Sequence, residues 1–140
     1  MALEIEPITN KEFVQRFENQ TLAPEYFDHL GHIRLARLYL LEYELDQAIS
    51  QISQGIQDYA RSLGAADKFH LTITDAIMRI INKRLAGNET DDWESFLDKN
   101  SDIVEDSLSV LYQYYSEDVL MSDKAKRTLV LPDKRDIEEC

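Results

Sequence analysis

DQAISQISQGIQDYARSLG, residues 46–64, carries the most regular pattern in the chain: Ala48, Ile49, Ile52, Ile56, Tyr59, Ala60 and Leu63 recur at intervals of three and four. Such a stripe falls on one face of an α-helix, because about 3.6 residues complete each turn. Asp46 is placed to cap the helix and Gly64 to end it. A helix with one apolar face must bury that face, so the segment predicts helical neighbours on either side in the chain.

Those neighbours are legible. Pro24 suits the first turn of a helix through Tyr26, Phe27, Leu30, Ile33, Leu35, Ala36, Leu38, Leu40 and Leu41, apolar on nearly every side and fitted to the centre of a bundle. Before it, Thr9 and Glu12 have capping-box spacing and Ile8 and Phe13 the positions of a hydrophobic staple, which predicts a helix to about Gln20. After residue 64, Ile73, Ile77, Ile80, Ile81 and Leu85 predict a helix from about Asp67 or Lys68 to Ala86, with Gly87 beyond its end. Trp93, Phe96 and Leu97 give a short helix, and Ser101 or Asp102 caps another through Ile103, Val104, Leu108, Leu111 and Tyr115. Ser122 caps one more turn. Residues 128–131 read as extended, and Pro132 forbids continuation.

A chain of 140 residues that is 44% hydrophobic, with four Gly and three Pro, is too apolar for disorder and too poor in turn formers for a many-stranded β protein. The expectation is an all-α, compact bundle of about five to seven helices. Residues 1–133 form a single helical domain in this reading and residues 134–140 a charged C-terminal tail. Fifteen Lys and Arg against 27 Asp and Glu give a net charge of −12, which argues against nucleic acid or an anionic membrane as partner. No apolar run approaches the roughly 18 residues that span a bilayer, and residues 1–7 show neither a secretory signal nor a transit peptide. The chain therefore reads as cytoplasmic. Its single cysteine, Cys140, cannot close an intramolecular disulfide.

Two patterns carry less than they first suggest. Seven carboxylates lie between Asp91 and Asp106 against Lys99 alone, but a calcium loop of the EF-hand type needs a glycine that this stretch lacks, so it reads as a solvated surface. Ala36, Tyr39, Ala48 and Gly55 fall near the small and aromatic positions of a tetratricopeptide helix pair. Only one copy is present, where a solenoid needs about three, and the spacing is read as close packing of a helix hairpin.

Chemistry concentrates in the three histidines. His29 and His32 lie three apart on one helical face that continues through Ala36 and Tyr43, and His70 opens the helix after next. Alternate helices of an up-down bundle run parallel, so equivalent ends meet and His70 joins the other two. Neutral imidazoles suit Zn, Fe, Ni or Cu, and three protein ligands leave a coordination position open. This makes His29, His32 and His70 the candidate ligands of a divalent transition metal. Thr72, Thr74, Tyr39 and Tyr43 are the candidate walls of a small-molecule pocket. The rival reading is a helical protein–protein interaction module, or a homodimer, in which the imidazoles only bond backbone carbonyls and hydroxyls. Di-iron, zincin, phosphate-loop, nucleophile-elbow and dinucleotide motifs are all missing, so no reaction is assigned. Arg34 and Arg37 are read as surface ion pairs.

Three segments also carry a family likeness: Phe27-Asp28-His29-Leu30-Gly31-His32 running on to Ala36, Phe69-His70-Leu71-Thr72-Ile73-Thr74, and Val130-Leu131-Pro132-Asp133. The chain resembles a group of small bacterial all-helical proteins of unassigned function that bear F-x-H-x-x-H-x-x-x-A, aromatic-H-x-T-x-T and a closing Pro-Asp. Leu71 stands where that pattern has an acidic residue. The resemblance implies that the two histidine segments belong together and brings no activity with it.

Overall fold

The computed structural model describes residues 7–137. Residues 1–6, which carry most of the targeting reading, and Cys140 lie outside that range. Four longer helices come first: α1 (Asn10–Glu18), α2 (His29–Glu42), α3 (Leu45–Ser62) and α4 (Leu71–Leu85). Five short ones follow: α5 (Trp93–Lys99), α6 (Ser101–Glu105), α7 (Ser107–Leu111), α8 (Glu117–Leu120) and α9 (Asp123–Arg127). The described residues hold no strand, so the all-α expectation holds, with nine helices where about five to seven were predicted. Helices α2, α3 and α4 contact one another in all three pairs and enclose one continuous core. No described helix is long and apolar enough to cross a membrane.

The excess of helices arises from local hydrogen bonding. The one helix expected from residue 101 or 102 to Tyr115 is broken at Asp106 (φ −153°, ψ 79°), whose carboxylate accepts from the backbone N–H and the hydroxyl of Ser109 at 3.2 and 2.6 Å. A short acidic side chain that bonds nearby backbone competes with helix continuation, and here it starts α7 anew. Ser116 and Ser122 cap α8 and α9 in the same manner.

Helix starts also move. Thr9 caps α1 as its spacing predicts, accepting from Glu12 N–H at 3.1 Å. Pro24, in contrast, opens only a 3-10 turn, Pro24–Tyr26, and α2 starts at His29 with Asp28 as N-cap. Helix α3 starts after Glu44, which leaves Asp46 in its first turn, and α4 starts after His70 rather than near residue 67. Gly64 and Gly87, at φ +71° and +81°, follow α3 and α4 as expected.

Two glycines permit close approaches that set the architecture. A Cβ on Gly31 would lie 2.0 Å from the carbonyl oxygen of Tyr26, so the turn before α2 folds directly onto that helix only because position 31 has no side chain. A Cβ on Gly55 would lie 2.7 Å from the Phe17 ring, and the gap lets α1 settle on α3. Phe17, fully buried, then meets Phe27 at 5.5 Å, Tyr59 at 5.8 Å and Tyr39 at 6.3 Å between ring centroids.

The C-terminal stretch is held down as well. Thr72, fully buried, donates its hydroxyl to Thr128 O at 2.8 Å and accepts from Val130 N–H at 3.1 Å. Asp133 accepts from Ser116 N–H at 2.8 Å, and Lys134 N–H donates to Tyr114 O at 2.9 Å. Residues 134–136 are exposed, whereas Ile137 is buried and its carbonyl accepts from Lys83 Nζ at 3.1 Å.

Gly31→Ala should lower stability by about 2 kcal/mol, the usual range for overpacking against unyielding atoms. Urea unfolding of the variant and its parent measures this. A loss below about 0.5 kcal/mol would contradict the close approach of Tyr26.

Candidate functional site

The starts of α2 and α4 meet, with α3 and α7, around a cavity of about 450 Å³. Its apolar floor is made by Ala36, Ile52, Ile56, Ile73, Ile77 and Met78. Phe27, Asp28, His29, His32, Lys68, Phe69, His70, Thr74, Ser107 and Leu108 complete the wall. All three histidines and Thr74 therefore share one cavity, drawn from two segments that are far apart in the sequence.

Helix capping decides how each ring is used. His70 is the N-cap of α4: its Nδ1 accepts from Ile73 N–H at 3.1 Å, and its Nε2–H donates to Leu120 O at 2.9 Å. Both ring nitrogens are occupied, and only the neutral Nε2–H tautomer can serve both bonds. His32 stacks on Phe27 with centroids 3.9 Å apart and donates Nδ1–H to the carbonyl of Asp28 at 3.0 Å. His29, exposed, donates Nε2–H to Ile103 O at 3.0 Å, which ties the start of α2 to α6. One nitrogen remains on each of these two rings: Nδ1 of His29 and Nε2 of His32.

Burial lowers the pKa of His32 below the ordinary histidine value, against the raising effect of its bond to Asp28. Burial also lowers that of His70, helped by the positive charge of Lys126 and opposed by the Leu120 bond. Both shifts favour the neutral ring.

Three of the expected wall residues lie elsewhere. Thr72 faces the closing segment, where both roles of its hydroxyl are taken. Tyr39 and Tyr43 line a separate groove between α1 and α2, where Tyr39 donates to Glu18 at 2.6 Å; burial and that bond raise its pKa well above the usual phenol range. The physical reason is rotation: α2 turns Ala36 to the cavity and Tyr39 to α1, where Phe17 receives its ring edge-on. Thr74 does line the cavity, its hydroxyl donating to His70 O at 2.8 Å.

The metal expectation meets the same bookkeeping of lone pairs. Among the described residues no group of three or more His, Cys, Asp or Glu is arranged to hold a metal ion. The carboxylates of the 91–106 stretch have local tasks instead: Asp91 pairs with Lys99 at 2.8 Å, Asp102 with Arg84 at 2.6 Å, and Asp92 and Asp106 cap helices. Arg37 departs from its expected place on the surface. It is buried against Trp93 and Phe96, 5.9 and 5.5 Å from the ring centroids, and donates to Asp91 O at 2.6 Å.

What the residue pattern missed are the floor and two rim groups, Phe27 and Asp28. Isoleucines at positions 73 and 77 look like core in any helical projection. That they are only half-buried depends on what the rest of the chain leaves uncovered.

His70→Ala removes a helix cap and a backbone hydrogen bond and should lower stability by about 2 kcal/mol, of which His70→Asn should recover about half by restoring the cap. Because the folded pKa values of His32 and His70 lie below 6.5, the unfolded chain binds protons that the folded chain does not as pH falls through that value. Stability should be fully present above about pH 6.5 and decline below it, well before the lowered carboxylates Asp92, Asp102, Asp106 and Asp133 contribute. Urea midpoints at pH 7.5 and 5.5 test this, and His70→Asn should narrow the difference between them.

No protein-family model matches this chain, and neither a curated protein nor a solved structure matches it.

Proposed function

We propose that this protein binds a small, largely apolar molecule in the histidine-lined cavity. The observation that carries the reading is that Ile73 and Ile77, on the inward face of a central helix, are only half-buried because their outer surface is the cavity floor. Covering that surface would return about 25 cal/mol per Å² of apolar area removed from water. The volume, about 450 Å³, falls in the roughly 300–1,000 Å³ range of small-molecule sites, and the composition agrees: an apolar floor with a few convergent polar groups at the mouth.

Binding, with no reaction assigned, is the reading the rim supports: His29 and His32 keep one ring nitrogen each, while His70 and Thr74 are used by the fold. The ring of His70 has no nitrogen left to act as a base, and the Thr74 hydroxyl has given its hydrogen to a carbonyl within its own helix. Those bonds keep the wall rigid, which suits a preformed site. A transition metal has less support, since the third imidazole would have to surrender the cap of α4 to reach it.

Titration with a neutral apolar dye, N-phenyl-1-naphthylamine, should give saturable one-site fluorescence enhancement. Ile77→Trp, which fills the floor, should abolish that signal while far-ultraviolet circular dichroism stays unchanged. Enhancement that survives the substitution, or none in the parent, would refute the reading. Zn²⁺ that shifts the imidazole signals of His29, His32 and His70 together would replace it with a metal centre.

A further inference from the structure

We propose that the cavity selects an organic ammonium ion, its apolar body on the isoleucine floor and its protonated amine at the mouth among Asp28, His29 and His32. The inference rests on the reading of the cavity as a ligand pocket and adds the chemistry of the ligand's polar end.

A carbonyl oxygen can only accept, so His29 carries its hydrogen on Nε2, toward Ile103 O, and His32 carries its hydrogen on Nδ1, toward Asp28 O. In the neutral rings the leftover nitrogens, Nδ1 of His29 and Nε2 of His32, are therefore lone pairs. Asp28 accepts from Gly31 N–H through Oδ1 at 2.8 Å, and its carboxylate retains further lone pairs and a negative charge. The start of α2 thus presents acceptors to the cavity. A carboxylate or phosphate head would meet lone pairs with lone pairs. A hydroxyl has one hydrogen to offer, whereas an ammonium has three and the complementary charge.

Charge points the same way. Asp28 and His32 lie four residues apart at the start of α2, both lining the cavity, and a chain of net charge −12 draws cations toward it. Phe27, stacked on His32 and packed on Phe17 behind it, holds that imidazole in place at the wall. Two features oppose a cation: the positive N-terminal end of α2, which Asp28 offsets as its N-cap, and Lys68. Lys68 is exposed and reaches the cavity from the connection into α4 rather than from α2, and its flexible stem lets the ammonium turn to water.

Three probes of one shape separate the cases: naphthylmethylammonium, naphthylmethanol and naphthoate, each titrated into the full chain with the methyl signals of Ile73 and Ile77 as readout. The ammonium should bind about tenfold more tightly than the alcohol, and naphthoate most weakly. Asp28→Asn, which keeps a capping side chain, should weaken the ammonium about tenfold and leave the alcohol nearly unchanged. Naphthoate or the alcohol binding as tightly as the ammonium, or an indifferent Asp28→Asn, would overturn the ammonium assignment and leave the pocket standing. Failure of all three to move the floor methyls would remove the pocket, and the assignment with it.

Discussion

Packing of Phe17 into the space left by Gly55 is the constraint on which the rest of the molecule hangs. It brings α1 onto α3 and places a buried ring where Phe27, Tyr39 and Tyr59 can surround it. Phe27 is the outermost member of that cluster, and its other neighbour is His32. The cavity mouth is thus connected to the core through one ring: Phe27 packs on Phe17 on one side and on His32 on the other. Tyr59 secures the same cluster from the side by donating to Leu22 O at 2.7 Å.

Helix ends govern both the outline of the fold and the chemistry of the site. Helix N-termini leave N–H groups without intrahelical partners, and this chain satisfies them with short polar side chains at almost every start. Thr9, Asp28, Asp92, Asp106, Ser116 and Ser122 do so conventionally. His70 does it with an imidazole, which fixes the tautomer and makes the start of α4 sensitive to protonation. What looks in the sequence like a third metal ligand is thus a structural acceptor. Its two companions, which line the same cavity, are each anchored through a single nitrogen.

The same accounting gives a local task to several of the carboxylates. These are caps or partners of nearby cations, so the C-terminal third is a series of short turns rather than one long helix. The closing segment is then fastened from several directions. Thr72 and Tyr115 hold it at Val130, the latter donating its hydroxyl to Val130 O at 2.7 Å, and Asp133 caps Ser116. Thr72 and the Pro-Asp run therefore serve the closure of the fold and leave the cavity wall to other residues.

The sequence by itself determined the helical class, the apolar faces of α3 and α4, and the approach of the two histidine segments at one end. These follow from period, from apolar content and from the parallel course of alternate helices, all of which are local or nearly local properties. Ala36 stays on the histidine face as its spacing predicts, but only the tertiary structure sent Tyr39 and Tyr43 to another groove, Tyr39 by its packing on Phe17 and Tyr43 by the end of α2. It also decided how each imidazole is used, because a ring nitrogen's partner is a backbone carbonyl such as Ile103 O or Leu120 O from a distant stretch of chain. A carbonyl is present at every residue and leaves no mark on the sequence, so the bonding of each imidazole becomes visible only once the chain has folded.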